Sequence, residues 1–150
     1  MLIATASTVL LVVAFGCGSN DDGSETPSAP LTKAQFIKQA DQICKERLKE
    51  KDEAVKATLK KASPEEIANP SQEKLKELGE STIPPFTQLT SEISELPAPA
   101  QDQAEVEKIT SGLEAGLKRA EADPGKLAEV DPYADAAAAA KEYGLRYCNF

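Results

Sequence analysis

The side chains available for chemistry in this 150-residue chain are carboxylates, hydroxyls, lysines and three cysteines, because histidine is absent. That absence removes the usual general base near neutral pH and the commonest neutral metal ligand. A metal site inside a helical bundle commonly draws on Glu-x-x-His pairs from two helices, and no such pair can be written here. Serine hydrolysis would have to use lysine or a carboxylate as its base, and the Gly-x-Ser-x-Gly pattern does not occur. Paired carboxylates exist at Glu65-Glu66 and at Glu105 with Glu107, but they fall at helix starts or on outer faces, where solvated groups belong. Asp21-Asp22-Gly23 lacks the six or more oxygen ligands of a shaped calcium loop. No catalytic residue, metal or cofactor is therefore expected, and an enzyme is not the reading the residues favour.

Composition narrows the partners. The formal charge is −8, from 25 acidic against 17 basic residues, with no block of Lys or Arg. A nucleic-acid surface needs a basic footprint, so nucleic acid is excluded as a partner. Tryptophan is absent and aromatics are 5%, which leaves few platforms for stacking bases or sugars.

Residues 1–16 carry no charge, and Val9 to Phe15 is an unbroken apolar run. This reads as an export signal, too short for a transmembrane helix of about 20 apolar residues. Ala14-Phe15-Gly16-Cys17 resembles the lipobox of bacterial lipoproteins, in which a small residue precedes the cysteine that becomes lipidated. The resemblance implies lipidation of Cys17 and anchoring at the outer face of the cell membrane; plain secretion is the alternative. Residues 17–30 are almost wholly Gly, Ser, Asn, Asp, Glu, Thr and Pro, and predict a flexible, disordered tether.

The body, residues 31–150, is predicted to be all-α. Thr32 and Gln35 are spaced for a capping box, and Leu31 and Phe36 for a hydrophobic staple. Phe36, Ala40, Ile43, Cys44, Leu48, Val55 and Leu59 then recur at helical steps. Ser63-Pro64-Glu65-Glu66 starts a short turn. A second long helix carries Leu75, Leu78, Thr82, Phe86, Leu89, Ile93 and Leu96 inward and is expected to kink at Pro84-Pro85. A third, with Val106, Ile109, Leu113 and Leu117 inward, stops before Asp123-Pro124-Gly125. A fourth is predicted from Asp131 as N-cap through Tyr147. Its face of Ala136, Ala137, Ala140 and Gly144 suits close helix approach, though alanine's helix propensity alone explains the run equally well.

With Cys17 assigned to lipid, Cys44 and Cys148 remain. Both fall on inward faces in an oxidising compartment, which predicts a disulfide between them. Two separate buried thiols are the alternative.

These elements compose an up-down-up-down four-helix bundle. The layout resembles small exported helical proteins, many lipid-anchored, of high-GC Gram-positive bacteria, a family with no assigned activity. The resemblance implies location rather than mechanism. The function expected is a lipid-anchored binding or scaffolding module of the cell envelope without catalysis, whose partner is an envelope protein. A carrier of a small apolar ligand is the alternative, and a carboxylate-dependent hydrolase a weaker one. If the fourth helix stops short of the first helix's start, about 18 Å of the first helix is left uncovered. Phe36, Ile37, Ala40, Ile93, Leu96 and Val106 would face that gap, with Phe150 as a plug, making an apolar site unless ordinary core packing closes it.

Overall fold

A computed structural model of the protein describes residues 29–150. The expected export segment, Cys17 and all but the last two residues of the expected tether lie outside the described residues. The described chain is all-helical, with four long helices and, among these residues, no strand.

Helix α1 spans Lys33–Leu59, and its first turn has the capping box expected. Thr32 accepts the N–H of Gln35, whose side chain in turn accepts the Thr32 N–H at 2.9 Å. A cap of this type contributes about 1 kcal/mol. The short α2, Pro64–Ala68, starts on the same device between Ser63 and Glu66. The N–H and hydroxyl of Ser63 hold the Glu66 carboxyl below the usual carboxylate range. Helix α3, Gln72–Ser94, contains both Pro84 and Pro85. Proline has no N–H to donate, so the carbonyls of Glu80 and Ser81 lose their ladder partners, yet the helix continues. Helix α4 covers Gln103–Ala122, a 3-10 turn Pro124–Ala128 follows, and α5 spans Ala134–Tyr143.

The last helix is shorter than predicted at both ends. At its start, Asp131 Oδ1 accepts the Tyr133 N–H at 2.9 Å, holding these residues in an Asx turn outside the helix. At its end, Gly144 takes φ 109°, and the N–H groups of Leu145 and Gly144 reach back to the carbonyls of Ala140 and Lys141. That is a Schellman motif, in which only glycine enters the left-handed region without strain. Cys148 therefore lies in a non-helical tail, not on the helix face predicted for it.

The core is assembled from one stripe of each long helix. Phe36, Leu89, Ile93, Ile109 and Leu113 are fully buried, each contributing about 1.5–3 kcal/mol by leaving water. Arg47 fixes the polar seam between α1 and α3. Its guanidinium is bidentate to Glu92, at 3.0 and 2.8 Å, and also reaches Gln88 and Glu50. Glu92 first and Glu50 second push its pKa up, so the guanidinium keeps its charge. Against α4, α5 brings small residues: a Cβ built on Gly112 would meet Ala136 Cα at 3.1 Å. Ala136 and Ala140 are buried, which places the alanine face in a helix interface.

Candidate functional site

Cys44 and Cys148 are joined in a disulfide across 104 residues of sequence. The tail that delivers Cys148 is tied down just before it, because Asp41 Oδ1 accepts the N–H groups of Arg146 and Tyr147 at 2.8 and 3.0 Å. Closing a loop of this size stabilises a fold by up to about 4.7 kcal/mol on the chain-entropy model.

The seven residues expected to face an apolar gap are distributed differently. Phe36, Ala40 and Ile93 are fully buried and Val106 nearly so, while Ile37 and Leu96 pack half-buried against them. The space left open in the sequence reading is occupied by Tyr143, whose ring meets Phe36 edge-on at 5.8 Å, with Lys33 Nζ 4.2 Å above it. Phe150 is not with this group. The tail carries it to Tyr133, at a ring distance of 6.4 Å.

At that place the structure has a cleft the sequence reading missed, with a volume of about 360 Å³. Thr82 and Phe86 of α3 form one wall, and Leu127, Val130 and Tyr133 the other, with Phe150 at its side. Tyr133 is its organising residue. One face of the ring stacks on Phe86 at 4.1 Å, nearly parallel. Its Cδ1 and Cε1 atoms lie against α4 where Gly116 has no side chain: a Cβ there would meet the Pro132 carbonyl oxygen and Tyr133 Cε1, each at 2.8 Å. Arg119 donates to the Pro132 carbonyl and fastens the turn. The Tyr133 hydroxyl is buried with no hydrogen-bond partner among the described residues. Burial first, then Glu121 and Asp131, push its pKa up, so the phenol stays protonated and able to donate. The available signals in the sequence were Gly112-x-x-x-Gly116, spaced for one helix face, and Tyr133 set directly behind Asp131-Pro132.

One chemically suggestive pair also escaped the sequence reading: Ser71 and Lys74 have the Ser-x-x-Lys spacing of a nucleophile and its base. The Ser71 hydroxyl accepts the Lys74 backbone N–H as the cap of α3, while Lys74 Nζ pairs with Glu77. Glu77 raises the lysine's pKa, the opposite of what a general base needs. Glu65, Glu105 and Glu107 are exposed. Among the described residues, no group of three His, Cys, Asp or Glu side chains is placed to hold a metal ion, and no helix is long and apolar enough to cross a membrane.

Compared with known proteins, the chain matches no family model, no curated protein and no solved structure.

Proposed function

We propose that this chain is a binding or scaffolding module held at the outer face of the cell membrane by lipid on Cys17, exported by residues 1–16 and working without catalysis. The observation that carries the reading is the Cys44–Cys148 disulfide, a bond that persists in oxidising, extracytoplasmic compartments. Among the described residues, the ion pairs and exposed carboxylates have no partner suited to proton transfer, which favours binding over a carboxylate-dependent hydrolase. The four long helices run up-down-up-down, with α3 bending at Pro84-Pro85. Three contacts support that order: Leu31 N–H to the Pro97 carbonyl at 3.3 Å, Arg47 to Glu92, and the Tyr143 hydroxyl to Asp102. The test is fractionation of Cys17→Ala. Since two or more acyl chains hold a protein stably at a membrane, the variant should appear in the medium. Retention on membranes after a salt wash would end the lipoprotein reading.

A second reading, carriage of a small apolar ligand, is favoured by one specific feature: the Tyr133 cleft with its unpaired buried hydroxyl. The ligand would then sit beside Phe86 and Phe150, away from the Phe36 region that the sequence pointed to.

A further inference from the structure

We propose that the cleft between α3, the Leu127–Tyr133 segment and the C-terminus binds a small uncharged apolar molecule carrying one hydrogen-bond acceptor, and that Phe150 moves aside to admit it. The proposal rests on the ligand-carrier reading and specifies its site and ligand class.

Three observations converge. The first is the Tyr133 hydroxyl itself, which is buried, protonated and without a partner. A buried polar group is normally hydrogen-bonded, and phenylalanine would supply the same stack on Phe86 without an orphaned donor. A phenol at this position is explained by an acceptor that arrives with a ligand. The second is size and lining. The volume of about 360 Å³ lies within the range of small-molecule pockets, roughly 300–1,000 Å³, which combine apolar walls with a few placed polar groups. Val130, on the rim, is 60% exposed, an apolar surface at the entrance. The third is the gate. Phe150 lies two residues beyond Cys148, so its displacement leaves the disulfide and the Asp41 contacts intact. Its ring is tilted 58° to Tyr133 rather than stacked on it.

Charge selects against anions. Glu129 and Asp131 border the cleft against the single cation Lys51, which is already within 3.3 Å of Asp52. A carboxylate ligand would meet net negative charge, and an ammonium group, which has donors only, would offer no acceptor to the Tyr133 hydroxyl. A neutral ketone, ester or amide satisfies the site.

The experiment uses the uncharged ketone dye Prodan and its alkyl analogue lacking the carbonyl, titrated by fluorescence into the purified protein and its Tyr133→Phe and Phe150→Ala variants. Prodan should bind the parent, and Tyr133→Phe should weaken it about tenfold, the worth of one desolvated hydrogen bond. The carbonyl-free analogue should be indifferent to that substitution. Phe150→Ala should bind Prodan more tightly or faster. Equal loss of both dyes in Tyr133→Phe, or no loss of either, overturns the assignment of the acceptor to Tyr133. Saturable binding insensitive to both substitutions places the ligand elsewhere, sinking this site while the carrier reading survives. No binding by the parent or by Phe150→Ala overturns both.

Discussion

The Tyr143 hydroxyl donates to Asp102 Oδ2 at 2.8 Å, fastening the last residue of α5 to the residue that precedes α4. Asp102 stands in the N-cap position of α4 yet makes no side-chain cap there, because its carboxylate is turned to the phenol. The bond also braces the ring that fills the space over Phe36. Tyr143→Phe should lower the unfolding free energy by about 1 kcal/mol, as should Asp102→Ala. In a double-mutant cycle the pair should cost little more than either alone, since both remove one interaction. Additive losses in urea unfolding would show that the two residues act separately.

The same phenol, with Tyr133, makes stability sensitive to alkali. In the folded protein both hydroxyls have raised pKa values: burial is the main cause for each, with Asp102 adding at Tyr143 and Glu121 at Tyr133. A free phenol ionises near about 10. A folded-state pKa above the unfolded one means that the unfolded chain loses its protons first, so the contribution is fully present below about pH 10 and falls as pH rises beyond it. Thermal melts from pH 8 to 11 should show a drop above pH 10. The Tyr133→Phe, Tyr143→Phe double variant should show a shallower one, and an identical decline in both proteins would assign the effect to other groups.

Reduction of the Cys44–Cys148 bond should lower the melting temperature, and Cys148→Ser should reproduce the loss without reductant. The upper bound is about 4.7 kcal/mol for a loop of this size. Asp41→Ala adds a finer test, because Asp41 holds Arg146 and Tyr147 only while the tail is in place. Its cost, about 1 kcal/mol in the oxidised protein, should shrink under reductant. A cost unchanged by redox state would mean that the tail stays docked without the bridge.

What could be read from sequence was local and redundant. Thr32 with Gln35 and Leu31 with Phe36 mark the start of α1 through two signals, a capping box and a hydrophobic staple, and Ser63 with Glu66 repeats the first, so both starts were legible. The disulfide was legible because, with Cys17 assigned to lipid, Cys44 and Cys148 were the two cysteines left to pair. Gly144 was misread for a physical reason: a glycine without a side chain serves equally a close helix contact and a left-handed helix end, and only the hydrogen bonds to Ala140 and Lys141 decide between them. That one residue shortened α5 and put Cys148 on a tail, and Tyr143 came to lie on Phe36. The Tyr133 cleft was not legible, since its walls come from residues 82–86, 127–133 and 150, separated by tens of residues and brought together only by packing. Arg47 with Glu92 was hidden likewise, as two ordinary surface charges in sequence.

The clearest remaining test compares two glycines one helical turn apart on α4. In an exposed helix interior, replacing glycine with alanine gains up to about 1 kcal/mol from propensity. At Gly116 the new methyl would overlap the Tyr133 ring and meet the Pro132 carbonyl oxygen, which Arg119 holds in place. Overpacking of a fixed neighbour costs roughly 1–3 kcal/mol, so Gly116→Ala should destabilise despite its better propensity. At Gly112 the nearest atoms are Ala136 Cα and Cβ at 3.1 Å, a contact that a shift of a few tenths of an ångström in α5 relieves. Gly112→Ala should therefore be close to neutral. Gly116→Ala should also disturb the aromatic near-ultraviolet circular dichroism, because the Tyr133–Phe86 stack lies against that position, whereas Gly112→Ala should leave it intact. Equal unfolding midpoints for the two variants would mean that Tyr133 does not lie against Gly116, and the cleft built around that ring would have to be redrawn.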